Sequence, residues 1–174
     1  MGKIIFYEDK DYGGRHFECS GDCTDMLGLL SCCNSIKVTC GCFMIYEKTN
    51  YTGHQYYLCP GEYSDYHHWM GISDNIKSCH IIPSVPGSYN MHLFERIEYG
   101  GQIMDLVDDC PSVQDRFHVN NIFSCNVKAG NWLFYEHPNY QGRMYLLRPG
   151  DYRRFSEWGG KSARVGSIRR ITDY

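Results

Sequence analysis

One short pattern of aromatic, carboxylate and glycine residues runs through this chain four times. Tyr7-Glu8-x-x-x-Tyr12-x-Gly14 returns as Tyr46-Glu47-x-x-x-Tyr51-x-Gly53. It returns again as Phe94-Glu95-x-x-x-Tyr99-x-Gly101 and as Tyr135-Glu136-x-x-x-Tyr140-x-Gly142. Self-similarity at a period near 40 residues means one supersecondary unit used repeatedly. The repeated residues include no nucleophile and no acid–base pair. The pattern therefore points to a scaffold rather than to a catalytic cleft.

The residues leading into each motif alternate with a period of two, which argues β-strand. The four runs are Ile4-Ile5-Phe6-Tyr7, Phe43-Met44-Ile45-Tyr46, Met91-His92-Leu93-Phe94 and Trp132-Leu133-Phe134-Tyr135. Their first and third positions are always apolar, so that face is expected to line a core. The second position includes His92, so the other face tolerates polarity. Each motif glycine is expected to take a positive φ or to let a second segment come close. The aromatic pairs five residues apart, Tyr7/Tyr12, Tyr46/Tyr51, Phe94/Tyr99 and Tyr135/Tyr140, are expected to stack over folded hairpins.

Each repeat closes on a serine that opens another short strand: Ser35, Ser78, Ser124 and Ser167. A serine hydroxyl there can bond the backbone of the folded hairpin. Alanine occurs only at Ala129 and Ala163, which argues against much helix. The chain reads as all-β.

The spacing of the motif glycines divides the chain. The step from Gly53 to Gly101 is the longest, and the excess contains Pro83-Ser84-Val85-Pro86-Gly87-Ser88. A Pro/Gly/Ser cluster between repeats reads as a linker. Repeats two and four match best, at a constant offset of 89. Pro60-Gly61-Glu62-Tyr63 answers Pro149-Gly150-Asp151-Tyr152, and Trp69 answers Trp158. The order is thus a two-motif domain, a linker and its duplicate. The same offset pairs Met44, Tyr57 and Ile82 with Leu133, Leu146 and Ile171. Large apolar residues at outward strand positions imply that both faces are covered. These six residues are expected to form the contact between the two domains.

Charge and cysteine content narrow the function classes. Net charge is −3 with no basic stripe, so nucleic acid is not expected as a partner. No apolar run approaches the roughly 20 residues of a membrane helix. The first strand starts at once, so no leader segment is expected. Ten cysteines are present, eight of them before residue 80. A disulfide framework holding a duplicated fold should itself be duplicated, so most are expected to be thiols in a reducing compartment.

With these motifs in place, the chain resembles the vertebrate lens gamma-crystallins of the beta/gamma-crystallin superfamily, from Lys3 to Ile171. The resemblance implies two β-sandwich domains, each of two Greek-key motifs. Residues 2–82 would hold keys at about 3–41 and 42–82, and 83–88 the linker. Residues 89–174 would hold keys at about 90–130 and 131–172. It implies a structural, refractive protein of lens fibre-cell cytoplasm. That protein would be mostly monomeric, with weak contacts to other crystallins, no cofactor, no small-molecule substrate, no membrane partner and no enzymatic activity. One departure is that Phe43 stands where the family usually has a second tryptophan, as at Trp132. This resembles the fish gamma-M branch, and a gamma-S-like assignment stays open.

Chemical sites have to be weighed against that scaffold. Superfamily members outside the lens bind calcium through a pattern with Ser or Thr just before the closing serine. Here those positions are Asn34, Lys77, Phe123 and Gly166. No calcium site is expected, although a calcium- or ligand-binding module outside the lens is the alternative reading. Cys32-Cys33 and Cys40-x-Cys42 lack the matched second pair of a structural zinc site. Cys19, Cys23 and Cys42, at strand ends and turns, are expected to be the more reachable thiols. His67-His68 beside Trp69 has no counterpart at Ser156-Glu157, so no shared catalytic pocket is expected.

Overall fold

The computed structural model describes residues 2–84 and 87–174. Within the stretch read as a linker, Val85 and Pro86 lie outside the described residues. The chain separates into two compact units, residues 2–84 and residues 87–172 forming the body of each.

The first unit contains seven strands. These are β1 (Lys3–Tyr7), β2 (His16–Cys19), β3 (Ser35–Cys40), β4 (Phe43–Lys48), β5 (Thr52–Leu58), β6 (Gly61–Tyr63) and β7 (Ser78–Ile81). One antiparallel sheet has the order β2-β1-β3-β6. In the other, β4 pairs with β5 on one side and β7 on the other. β6 follows β5 in sequence yet pairs with β3 of the preceding motif. In exchange, Cys23 of the first motif bridges Cys79 on β7, with N–H···O distances of 2.8 and 2.9 Å in the two directions. Each motif lends its third segment to the other motif's sheet. That exchange makes the pair a Greek-key sandwich, with neither motif complete alone.

The second unit repeats this plan. Its strands are β8 (Asn90–Phe94), β9 (Ile103–Leu106), β10 (Ser124–Ala129), β11 (Trp132–His137), β12 (Gln141–Leu147), β13 (Gly150–Tyr152) and β14 (Ser167–Arg170). One sheet runs β13-β10-β8-β9, and in the other β11 lies between β12 and β14. Cys110 bridges Ile168 as Cys23 bridges Cys79. The α-helix of this unit, α1 (Val113–Phe117), is five residues long, and the Ser112 hydroxyl accepts from Asp115 N–H at 3.1 Å at its start.

The alternation in the sequence decides which side chains enter the cores. Ile4, Phe6, Phe43, Ile45, Met91, Leu93, Trp132 and Phe134 are all fully buried. Each such side chain contributes about 1.5–3 kcal/mol by leaving water. The intervening positions divide: Ile5 and His92 are half-buried, whereas Met44 and Leu133 are buried. Among the described residues no helix is long and apolar enough to cross a membrane.

Candidate functional site

The four folded hairpins are the repeated chemical feature of the molecule. In each, the two residues ending at the second aromatic both take left-handed backbone angles. The pairs are Asp11/Tyr12, Asn50/Tyr51, Glu98/Tyr99 and Asn139/Tyr140, with φ between 54° and 64°. Left-handed geometry costs roughly 1–2 kcal/mol per non-glycine residue. Such strain persists only where surrounding contacts over-determine it.

The closing serines supply those contacts. Ser35 Oγ accepts from Tyr12 N–H at 2.9 Å and donates to the Asp9 carbonyl at 2.6 Å. Ser78 does the same with Tyr51 N–H (3.1 Å) and Lys48 O (2.6 Å). Ser124 binds Tyr99 N–H (3.0 Å) and Arg96 O (2.6 Å), and Ser167 binds Tyr140 N–H (2.9 Å) and His137 O (2.7 Å). All four serines are fully buried. Each hydroxyl uses both its donor and its acceptor capacity on the two sides of one turn.

Aromatic contacts cover the turns, though not as parallel stacks. Tyr7/Tyr12, Phe94/Tyr99 and Tyr135/Tyr140 meet edge to face, with centroids 5.5–5.7 Å apart; Tyr46/Tyr51 is tilted at 5.5 Å. The ring quadrupole favours this arrangement over a face-to-face sandwich.

The motif glycines sit at φ of 76° (Gly14), 82° (Gly53), 78° (Gly101) and 83° (Gly142). Space matters there as well as angle. A Cβ on Gly53 would lie 2.7 Å from Glu47 Oε1, and one on Gly101 2.2 Å from Glu95 Cγ. In these two repeats the motif carboxylate folds across its own glycine, whereas at Gly14 the neighbouring Asp9 carboxylate takes that place, 2.8 Å from a Cβ. In the first repeat the motif carboxylate is most heavily engaged: Glu8 accepts two bonds from Arg15, at 3.0 and 2.8 Å, and two from Ser31. The Arg15 hydrogen bonds, followed by those from Ser31, lower the Glu8 carboxyl from 4.5 to about 2.

One recurring position was not legible in the motif. Two residues past three of the four serines, a cation or imidazole packs on the hairpin tyrosines. Lys37 Nζ lies 4.5 Å from the Tyr12 ring centre, and the Arg169 guanidinium lies over both Tyr135 and Tyr140. His80 stacks on Tyr46, meets Tyr51 edge-on, and holds the Tyr46 hydroxyl 2.9 Å from its Nε2. The spacing Ser+2 was the signal available in sequence.

The residues expected at a domain contact occupy matching places within their own units. Met44 is directly opposite Tyr57 on β4–β5, as Leu133 is opposite Leu146 on β11–β12. Ile82 N–H donates to Cys42 O at 2.9 Å, and Ile171 N–H donates to Asn131 O at the same distance. Trp69 and Trp158 are buried in equivalent turns, and Phe43 is buried as fully as Trp132.

His67 and His68 are exposed, and His68 Nδ1 takes up Ser64 N–H at 3.1 Å. None of the ten cysteines is in a disulfide. Cys19 and Cys23 are half-buried, but Cys42, expected to be reachable, is buried, and Cys40 is exposed instead. The reason is geometric: Cys42 immediately precedes β4 and lies under the Tyr57 hydroxyl, 3.6 Å from its Sγ. Contact with the Cys79 thiol lowers the Cys19 thiol below its ordinary value. Among the described residues no group of three or more His, Cys, Asp or Glu side chains is placed to hold a metal ion.

The family model of the Beta/Gamma crystallins matches residues 3–82 and again 90–171. The chain belongs to the beta/gamma-crystallin family. Its similarity to gamma-crystallins runs end to end. It is 56% identical to gamma-crystallin M2 of Chiloscyllium indicum over 173 residues, 99% of this chain and 98% of that one. Identity is also 56% to gamma-crystallin S-1 of the same fish, covering 99% and 100%. To human gamma-crystallin B it is 57%, covering 99% of each. The antiparallel sandwiches and the fourfold hairpin are thus those of a gamma-type beta/gamma-crystallin, as the resemblance implied.

Proposed function

We propose that this chain is a structural constituent of the eye lens, a soluble refractive crystallin whose working part is its whole folded body. The observation that carries this reading is full-length similarity to gamma-crystallins, motif for motif. Composition supports it: 15 tyrosines, eight phenylalanines and three tryptophans supply polarisable electrons, which raise the refractive increment per unit mass. A small net charge of mixed sign keeps crowded molecules soluble without strong mutual repulsion.

The domains are residues 2–82 and 89–174, with 83–88 between them. They meet through Met44, Tyr57 and Ile82 on one side and Leu133, Leu146 and Ile171 on the other. Support comes from the matched cross-strand pairs at the duplicated offset. The protein acts as a monomer in lens fibre-cell cytoplasm and is not an enzyme. The hairpin aromatics, glycines and serines are its structural residues, since each serine binds both sides of a strained turn.

Abundance among soluble lens proteins tests the function directly; absence from lens with expression elsewhere would overturn it. The alternative, a calcium-binding module, is tested by calorimetric titration. Lys77, just before Ser78, places a positive charge where a calcium pattern wants a hydroxyl, and its Nζ donates to Ser31 O at 3.2 Å. Millimolar calcium is expected to leave the melting temperature unchanged. A ligand present at 100 times its Kd would add about 2.7 kcal/mol, so a clear upward shift decides for the alternative.

A further inference from the structure

Cys42 and Cys59 face each other at the open end of the β4–β5 hairpin. Pairing there runs from Tyr46 opposite Gln55 to Phe43 opposite Leu58. The next step in register brings Cys42 opposite Cys59. Directly opposed antiparallel residues have Cα atoms about 4.5 or 5.5 Å apart, depending on the pair type. Both separations fall within the roughly 4.4–6.8 Å that a disulfide spans. Alternation places the two side chains on one face, shared with Tyr57, whose hydroxyl donates to Cys42 Sγ at 3.6 Å. The two thiols are in hydrogen-bond contact, and this contact together with burial holds the Cys42 thiol above its ordinary value. Cys42 is buried while Cys59 is half-buried. At the equivalent places in the fourth motif the duplicated scaffold carries Asn131 and Arg148, so the fold itself does not require thiols here.

We propose that Cys42 and Cys59 are a redox site that closes into a reversible cross-strand disulfide, with a low-molecular-weight disulfide as oxidant. The reaction is two thiol–disulfide exchanges. Cys59, the less buried thiol, loses its proton and attacks one sulfur of the small disulfide. A Cys59–S–S–R bond forms, the R–S–S–R bond breaks, and RS⁻ leaves to take up a proton as RSH. Cys42 then loses its proton and attacks Cys59 Sγ. The Cys42–Cys59 bond forms, the bond to R breaks, and a second RSH departs. Two protein thiols give up two electrons and two protons, and the small disulfide takes them as two thiols. Burial shields Cys42 from direct attack, so the mixed intermediate forms at Cys59. The Tyr57 hydroxyl donates to the Cys42 sulfur as its negative charge develops.

The test equilibrates the full-length reduced protein in glutathione buffers of rising glutathione-disulfide fraction, quenches with acid and maps thiols after alkylation. Trypsin places Cys40 and Cys42 in Val38–Lys48 and Cys59 alone in Thr49–Lys77. The expected result is a linked pair of these peptides, lighter by two hydrogens. Fragmentation should assign the link to Cys42 and leave Cys40 alkylated, and dithiothreitol should reverse it. In Cys59→Ser, Cys42 should remain a thiol at the poise that oxidises it in the parent. Should that variant fail to fold, the mapping on the parent chain stands alone. The proposal is overturned by stable glutathionylation of Cys59 with Cys42 still a thiol, or by a link from Cys59 to another cysteine. It is equally overturned if both remain thiols after Cys19, also half-buried, is fully oxidised.

Discussion

Ser124 and Tyr99 lie 25 residues apart, and the hydroxyl of the fully buried Ser124 accepts the Tyr99 N–H at 3.0 Å. The same hydroxyl donates to Arg96 O at 2.6 Å, so one side chain ties both limbs of a turn whose central residues have φ of 55° and 61°. The strained backbone and the distant serine depend on each other. The chain makes this arrangement four times.

Removing the hydroxyl should therefore cost more than one ordinary hydrogen bond. Ser124→Ala removes the partner of both the Tyr99 N–H and the Arg96 carbonyl in a part-buried turn, and each hydrogen bond lost costs about 0.5–1.5 kcal/mol. Urea unfolding should show a lower midpoint with an unchanged slope. The same loss is expected for alanine at Ser35, Ser78 or Ser167. A midpoint within error of the parent would show that the serine does not hold the turn.

Gly101→Ala and Gly21→Ala form a contrasting pair. At Gly101 the new Cβ meets Glu95 Cγ at 2.2 Å and the backbone sits at φ 78°; around Gly21 nothing lies within 4 Å. A side chain held in left-handed geometry costs about 1–3 kcal/mol, before any steric displacement of Glu95. Gly101→Ala should lower the melting temperature, while Gly21→Ala should leave it nearly unchanged or slightly raised. Equal effects at the two sites would refute the packing argument.

Glu8 gives the fold an acid-side dependence. Its carboxyl, held by Arg15 and then by Ser31, is lowered from 4.5 to about 2. A depressed folded-state value contributes stability above pH 4.5, and that contribution is lost as the pH falls from there towards about 2. Glu8→Gln should flatten stability against pH over that window and change it least near pH 2. Thermal melts from pH 2 to 7 on both proteins would read the difference. Parallel curves would show that Glu8 is not the group responsible.

The strands and their buried faces were legible because alternation is a property of consecutive residues. Ile4, Phe6, Phe43 and Ile45 declare the inner face by spacing alone. The paired left-handed angles were not legible. A motif glycine advertises positive φ, but nothing local marks Asn50 and Tyr51, whose conformation is enforced by Ser78, 27 positions away. The partners of Glu8 were hidden for the same reason, since Ser31 reaches it only once the first motif has folded. Cys42 was expected at a reachable strand end. Its burial goes with contact from the Tyr57 hydroxyl on the adjacent strand, which position along one strand does not reveal.

The proposed domain contact can be tested by coupling rather than by stability alone. Leu146 is opposite Leu133 in its own sheet, so truncating it weakens its own unit whatever lies beyond. Leu146→Ala should cost about 2–5 kcal/mol if the side chain is fully packed, which by itself does not identify a partner. Met44→Ala, Leu146→Ala and the double variant do so by completing a cycle. Residues in contact show interaction energies of about 0.5–3 kcal/mol, whereas distant ones add within about 0.3–0.5 kcal/mol. The proposal expects the double variant to lose less than the two single losses combined, because the contact can be broken only once. It also expects each single variant to separate the unfolding of the two units into distinct transitions. Additive losses with an undivided transition would place Met44 and Leu146 on independent surfaces and remove these residues from the interface.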